Sequence, residues 1–166
     1  MIYEASFITK VDNGMDPVAD LWHFKSGKTG RKYMVLVERL PHQMFAVKFH
    51  TRSDKNHPCR FTRMTGDGEP LSIVNTVINI MCQYAQRYPQ SSFSFIASRG
   101  DGETDEMSKR FRLYHRIILN KFSDREFCIS YDTRLSLYLL LRRSEVEAGR
   151  LSVNDVLTYV NDEYLI

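Results

Sequence analysis

The segment that decides the fold runs from Arg63 to Pro89 and reads RMTGDGEPLSIVNTVINIMCQYAQRYP. From Leu71 onward its apolar residues recur at steps of three and four, the spacing of one apolar stripe on an α-helix. The stripe consists of Val74, Val77, Ile78, Met81, Tyr84, Ala85 and Tyr88. Pro70 suits the first turn, where a missing N–H group is harmless, and Pro89 ends the helix because the residue before a proline avoids the helical region. The pattern predicts one amphipathic helix between the two prolines.

The loop before this helix contains Arg63, Thr65, Gly66, Asp67 and Gly68. A glycine-rich turn at a helix N-terminus exposes unpaired backbone N–H groups together with the positive end of the helix dipole. Both features favour binding of a phosphate or pyrophosphate. The alternative is an ordinary surface turn in which the two glycines only supply positive φ angles. The residues themselves leave both interpretations open.

The sequence before the loop is typical of β-strands. Four runs rich in Val, Ile, Phe and Tyr are separated by turn residues, and two of them alternate in polarity with a period of two. The runs are Ile2 to Thr9, Leu21 to Lys25, Arg31 to Arg39 and Met44 to Thr51. Because only a short turn at Pro41 and His42 lies between the last two, we expect them to pair antiparallel. The first part of the chain is therefore predicted to be a meander of strands.

Shorter elements follow the helix. The sequence predicts a strand at Phe93 to Ala97, a second helix, a hairpin of two strands and a C-terminal helix that begins after Ser152. The second helix carries the apolar stripe Met107, Phe111, Tyr114, Ile118 and Phe122, and the hairpin strands are Glu126 to Tyr131 and Arg134 to Arg142. With a strand-helix-strand unit at Phe61 to Ile96, this order predicts an α/β fold with a mixed, mainly antiparallel sheet flanked by helices.

Composition limits the class of protein. The 166 residues suit one domain spanning residues 1–166, and 43% hydrophobic with 26% charged residues excludes a disordered chain. No apolar run approaches the ~20 residues that cross a bilayer, and no leader segment is evident, so we expect a cytoplasmic protein away from membranes. The net charge of +3 is too small to indicate nucleic acid as a partner. The histidines and cysteines show no zinc-binding spacing, so no metal is expected.

The glycine loop and its helix, the strand Phe93-x-Phe95-x-Ala97 and the string Arg112-Leu113-Tyr114 occur in an order that resembles the GNAT N-acetyltransferase superfamily. The block from Thr65 to Phe122 is most similar to uncharacterised GNAT-like proteins carried by phages and other mobile elements. The resemblance implies a GNAT-like fold. It also implies acetyl-CoA as cofactor, with the loop residues named above as its pyrophosphate ligands.

The resemblance further implies an acyl-CoA-dependent N-acyltransferase that acts on an unidentified amine, with Tyr114 as the catalytic general acid. A phenol suits that role because it is neutral at pH 7 and can protonate a departing thiolate. Tyr114 also lies on an apolar stripe, so a tyrosine of the hydrophobic core is the alternative. His50, Glu38 and Asp67 are candidate general bases, and none is tied to a partner by its spacing.

A second interpretation is a GNAT-like protein without catalytic activity that binds a host or viral macromolecule. Its working surface would be the basic face of the second predicted helix, which consists of Lys109, Arg112, Arg116 and Lys121. Exposed cations on one helix face attract an acidic partner over about a Debye length of ~8 to 10 Å. Affinity for acetyl-CoA separates the two interpretations, since only the enzyme requires it.

Overall fold

The computed structural model describes residues 2–11, 19–52, 70–96, 109–132 and 137–164. The strands are β1 (Ser6–Val11), β2 (Ala19–Lys25), β3 (Lys32–Leu40), β4 (Met44–Thr51), β5 (Ser92–Ile96), β6 (Phe127–Asp132) and β7 (Leu137–Arg142). The helices are α1 (Pro70–Arg87), α2 (Lys109–Lys121), α3 (Arg143–Glu147) and α4 (Val153–Tyr164). A short 3₁₀ turn at Pro41–Gln43 joins β3 to β4.

The described strands form one seven-stranded sheet in the order β1-β2-β3-β4-β5-β7-β6. Strands β1 to β4 are a meander of antiparallel neighbours, and β6 and β7 are an antiparallel hairpin whose second strand pairs with β5. The predicted α/β class with a mixed, mainly antiparallel sheet is confirmed, and the architecture is consistent with a GNAT-like fold.

Strands β4 and β5 are the parallel pair of this sheet, and α1 lies between them in the chain. A parallel pair needs a crossover connection, which α1 provides. The pairing covers Met44 to Val47 against Ser92 to Phe95, whereas β4 continues to Thr51. The strand-helix-strand unit thus begins with β4; Phe61, where the sequence prediction started it, lies outside the described residues.

The two faces of the sheet have different cores. Because side chains alternate along a strand, Val35, Phe45 and Phe93 face one side, where they join the larger cluster with α1 and α2. On the other side, Met44, Leu139 and Leu141 pack with Leu151 and Val156, so α4 covers that part of the opposite face. We call the side with α1 and α2 the first face and the side with α4 the second face.

Most predicted elements are confirmed with shifts of a few residues at their ends. Strand β1 begins at Ser6 rather than at Ile2, because the backbone N–H of Tyr3 donates to Thr76 Oγ1 of α1 at 2.9 Å. The start of the chain is thereby bonded to a helix. At α4, Ser152 Oγ accepts the N–H of Asp155 at 3.1 Å, so Ser152 caps the helix that the sequence predicted to begin after it. Helix α3 was not predicted.

Among the described helices, none combines the length and the apolar character that crossing a bilayer requires.

Candidate functional site

Helix α1 runs antiparallel to β4 on the first face of the sheet. Its last turn lies over the beginning of β4, since the ring of Phe45 is 5.1 Å from that of Tyr84 and 5.4 Å from that of Tyr88, between centroids. Near the other end of the helix, Thr76 accepts the N–H of Tyr3. The position of Tyr3 therefore shows which end of the strands the N-terminus of α1 approaches.

A stack of aromatic rings identifies that end of the strands. The ring of Tyr3 lies 6.2 Å from that of Phe24, and Phe24 lies 5.2 Å from Tyr33 with an angle of 7° between the ring planes. Tyr33 pairs in the sheet with Thr51, the last residue of β4. The N-terminal part of α1 is thus at the carboxyl end of β4. The glycine loop of the sequence prediction directly precedes this helix end, and Arg63, Thr65, Gly66, Asp67 and Gly68 themselves lie outside the described residues.

Helix α2 runs in the same direction as α1. Phe122, directly after the helix, contacts Phe93 at the beginning of β5 and Phe127 at the beginning of β6, with ring centroids 6.0 and 5.2 Å apart. Tyr114 precedes Phe122 by eight residues, which is about 12 Å along a helix axis. Tyr114 therefore lies toward the carboxyl end of β5, at the same edge of the sheet as the N-terminal part of α1.

Tyr114 is buried, with 3% of its surface exposed, and belongs to the core cluster of the first face. Its surroundings are aromatic: burial raises the pKa of Tyr138, and the nearby phenols of Tyr131 and Tyr114 raise it further. His115 stacks on Tyr138 at 5.7 Å, and burial lowers the pKa of its imidazole. At neutral pH the phenol of Tyr138 and the imidazole of His115 are thus both uncharged. Such surroundings suit a proton donor and equally suit a packed core.

Two of the candidate bases lie on the second face of the sheet. Glu38 Oε1 accepts from Lys48 Nζ at 3.0 Å, and the Lys48 side chain is only 6% exposed. His50 is 7% exposed, and its Nδ1 donates to the carbonyl oxygen of Thr51 at 2.7 Å. Glu38 is therefore held in an ion pair, while His50 is oriented at the carboxyl end of β4. Asp67, the third candidate, lies outside the described residues.

The structure separates these bases from Tyr114 by the thickness of the sheet. Tyr114 packs on the first face, whereas the register of β3 with β4 directs Glu38, Lys48 and His50 to the second. A substrate could contact both sides only beyond the last paired residues of β4 and β5, Val47 and Phe95. The geometry therefore restricts any shared site to the carboxyl edge of that strand pair.

The basic face of α2 is at the surface. Arg112, Arg116 and Lys121 are exposed, and α2 begins at Lys109, whose side chain is outside the described part of the structure. Exposed cations at helical spacing suit both a solvated face and a contact surface.

A polar network that the sequence did not predict joins β2, β3 and the last turns of α1. Tyr84 Oη donates to Asp20 Oδ2 at 2.5 Å and accepts from Trp22 Nε1 at 2.9 Å. Arg39 Nη2 donates to the same carboxylate oxygen at 3.3 Å. Burial, followed by the bond to Asp20, raises the pKa of Tyr84. The signal in the sequence was a lone acid two residues before the single tryptophan, which is weak without knowledge of what packs against it.

Removing the phenol oxygen of this network should destabilise the protein. Tyr84→Phe leaves Trp22 Nε1 without its acceptor and Asp20 Oδ2 with one donor fewer, which costs about 1 to 3 kcal/mol of unfolding free energy. Because the folded-state pKa of Tyr84 is raised, this contribution is complete below pH ~10 and falls as the pH rises further. Urea unfolding followed by circular dichroism measures it. Tyr131→Phe, at a ring that is 48% exposed, is the control and should change little; equal midpoints for both variants would contradict the role of the network.

Comparison of the chain with protein-family models, with curated proteins and with solved structures found no match. Membership of the GNAT superfamily thus stays a prediction, and the site is argued from its own geometry.

Proposed function

We propose that this protein is an acyl-CoA-dependent N-acyltransferase that uses acetyl-CoA and transfers the acetyl group to an amine. The proposal rests on one observation: the N-terminal halves of α1 and α2 both lie toward the carboxyl ends of the parallel strands β4 and β5. In open α/β sheets, ligands bind beyond the carboxyl ends of the strands. The chain supplies a loop with two glycines immediately before one of these helices, which is the chemistry that pyrophosphate requires.

The strand pair supports a place for the rest of the cofactor. Val47 is the last residue of β4 that pairs with β5, and its partner there is Phe95. Strand β4 continues for four residues beyond Val47. An extended amide-containing arm can bind along a strand through backbone hydrogen bonds, as in β-strand addition. In the proposal the pantetheine arm lies along this part of β4, with its thioester toward Tyr114.

The reaction has one bond formed and one broken at the thioester carbon. The acceptor nitrogen attacks this carbon, the carbon–sulfur bond breaks, and the sulfur leaves with the bonding electron pair. The phenol of Tyr114 gives its proton to the departing thiolate, and the nitrogen loses a proton to a general base, for which His50 is the candidate at the carboxyl end of β4. Glu38 is opposite Ala46, inside the paired part of β4 and β5, and is too far from that end. Tyr114 then regains its proton from solvent, and the products are an amide and coenzyme A.

Direct titration of acetyl-CoA into the purified protein, followed by calorimetry, tests the proposal. Saturable binding with a Kd between about 1 μM and 1 mM, the usual range of substrate affinities, is expected. Absence of saturable binding in that range would contradict both acetyl-CoA as the cofactor and the proposed acetyl transfer.

A substitution in the glycine loop locates the binding. Gly68→Val should weaken acetyl-CoA binding at least about tenfold, because a branched side chain prevents close approach of the backbone to pyrophosphate. Gly149→Val is the matched control: Gly149 follows α3 with φ of 74°, so the same change strains the backbone at a distant turn. The control should lose stability and keep its affinity. If both variants bind acetyl-CoA like the unchanged protein, the loop is an ordinary turn.

A further inference from the structure

A pocket lies between the last turns of α1 and α2, at the ends of these helices that point away from the proposed acetyl-CoA site. Its volume is 430 Å³, which falls in the range of ~300 to 1,000 Å³ that small-molecule sites occupy. Its lining side chains include Cys82, Ala85, Lys121, Phe122, Glu126 and Arg142. Its walls are thus supplied by both helices, by the turn before β6 and by the end of β7.

Arg142, the last residue of β7, is a buried cation of this pocket. Its side chain is only 10% exposed, and its guanidinium carbon lies 4.1 Å from the ring centroid of Phe127. Its Nε donates to the carbonyl oxygen of Ser91 at 3.1 Å, and its Nη2 donates to that of Ala85 at 3.4 Å. Two of the three guanidinium nitrogens are therefore already bonded to the backbone.

The third nitrogen of Arg142, Nη1, can be reached from the pocket. Among the described residues its nearest acidic partner is Glu126 Oε2 at 3.7 Å, which is beyond hydrogen-bond distance. Nη1 is not one of the described polar atoms that are both buried and without a partner, so it keeps accessible surface. An acceptor that enters the pocket would therefore give Nη1 a hydrogen bond that the described residues do not provide.

The charge of Arg142 is also incompletely balanced. Burial lowers the pKa of Arg142, and Glu126 only opposes that effect. The Glu126 side chain is 68% exposed, and an ion pair with an exposed partner contributes little. A buried cation is stabilised far more by an anion that shares its low-dielectric surroundings.

Lys121 adds a second positive charge from the end of α2. Burial raises the pKa of the Cys82 thiol on α1, and the charge of Lys121 opposes that rise. The ammonium group is thus close enough to act on a side chain of the facing helix. With Glu126 as the acid among these lining residues, the three charged side chains sum to one positive charge, which favours a monoanion.

The remaining contacts narrow the ligand further. Because Nε and Nη2 are occupied, Arg142 offers a single nitrogen instead of a fork, which suits a carboxylate better than a phosphate with three acceptor oxygens. Ala85 and Phe122 supply apolar surface between the two helices. A ligand that fills the pocket therefore needs an apolar part beside its charged group.

We infer that this pocket is a binding site for a small monocarboxylate with an apolar body. One carboxylate oxygen accepts from Arg142 Nη1, the charge is paired with Lys121, and the apolar body lies against Ala85 and Phe122. Glu126 turns toward solvent as the ligand enters, which its exposure allows. The inference does not depend on the proposed acyltransferase activity, because the two sites lie at opposite ends of α1 and α2.

Calorimetric titration of hydrocinnamate into the protein measures the affinity. Saturable binding with a Kd below about 1 mM is expected. Hydrocinnamamide has the same apolar body without the charge, and acetate has the carboxylate without the body, so each should bind at least about tenfold more weakly. The inference is overturned if hydrocinnamate does not saturate in this range or if either control ligand binds as tightly.

Cys82 allows the bound ligand to be located. It is a half-buried free thiol that lines the pocket, whereas Cys128 is a half-buried free thiol outside the pocket. Saturating hydrocinnamate should slow alkylation of Cys82 by iodoacetamide at least about threefold and leave Cys128 unchanged, since a ligand in the pocket blocks access to the thiol. Mass spectrometry of the two cysteine peptides measures both rates. Equal effects on the two thiols would place the ligand elsewhere; if Cys82 does not react in the free protein, the variants below decide the location.

Two exposed charges of the pocket should change the affinity in opposite directions. Lys121→Gln removes a cation that pairs with the ligand and should weaken hydrocinnamate binding at least about fivefold. Glu126→Gln removes the carboxylate that competes for Nη1 and should tighten binding at least about threefold. Thermal midpoints of both variants should stay close to that of the unchanged protein, because both side chains are at the surface.

The matched controls are the same changes at exposed positions outside the pocket. Lys28→Gln and Glu147→Gln should leave Kd within about twofold, because charges far from the ligand are screened by salt. The inference is overturned if Lys28→Gln weakens binding as much as Lys121→Gln does, or if Glu126→Gln fails to tighten it.

Discussion

Replacing Tyr114 by phenylalanine is expected to lower kcat for acetyl transfer by about 10² to 10⁴, the usual contribution of a positioned general acid, while Kd for acetyl-CoA changes little. The thiolate of coenzyme A is a basic leaving group, and the phenol supplies its proton only as the carbon–sulfur bond breaks. The loss should therefore appear in turnover rather than in binding. Steady-state kinetics with a thiol-reactive dye that reports released coenzyme A measures it, once an acceptor amine supports turnover.

A second buried tyrosine separates catalysis from packing. Tyr138 is fully buried on the same face of the sheet, so Tyr138→Phe serves as the matched control. We expect it to affect stability at about the 1 kcal/mol level of a buried hydrogen bond and to leave kcat within a few-fold. If Tyr114→Phe instead loses about 1 kcal/mol of stability with unchanged kcat, Tyr114 is a residue of the core.

The largest effect on stability is expected at Phe93, in the centre of the sheet. Its ring is fully buried and contacts the rings of Phe45, Phe122 and Phe127 at 5.9 to 6.3 Å between centroids. Phe93→Ala should lower the unfolding free energy by about 3 to 5 kcal/mol, because it removes apolar burial and leaves a cavity where β4, β5, β6 and the end of α2 meet. Urea unfolding monitored by circular dichroism gives the value.

An exposed leucine provides the comparison for Phe93. Leu119 is 51% exposed on α2, and Leu119→Ala should cost less than about 0.5 kcal/mol. Similar losses for the two variants would mean that Phe93 does not hold the elements together as its contacts indicate. Phe93→Ala could also change only one part of the urea unfolding curve and leave unfolding at lower urea concentrations unchanged. That result would show that β1 to β3 unfold separately from the rest of the protein.

Much of the fold was predictable because its signals are local. The two prolines and the three-to-four residue spacing placed α1 between Pro70 and Pro89, and the helix runs from Pro70 to Arg87. The alternation of Phe45, Val47 and Phe49 with their polar and small neighbours placed β4, whose bounds are Met44 and Thr51 as predicted. Each of these signals depends on residues a few positions apart, so the sequence contains all that is needed to read them.

The candidate acetyl-CoA site was predictable only in part. The order of loop, helix, strand and tyrosine could be read along the chain, and it resembles a known superfamily. The end of the strands toward which α1 and Tyr114 lie could not be read in this way, because it depends on the parallel pairing of Met44 with Ser92 and of Val47 with Phe95. Likewise, the candidate bases Glu38 and His50 were named from their residue types, and only the register assigned them to the face opposite Tyr114.

By itself the sequence determined the α/β class, three of the four described helices and the seven described strands, since periodicity, proline positions and turn residues act through neighbours along the chain. Only the tertiary structure decided that Tyr84 is a polar partner as well as a member of an apolar stripe. Its hydroxyl donates to Asp20, which lies 64 positions earlier in the chain. No sequence pattern relates a carboxylate and a phenol so far apart in the chain. A hydrogen bond requires about 3 Å in space and no particular spacing in the chain.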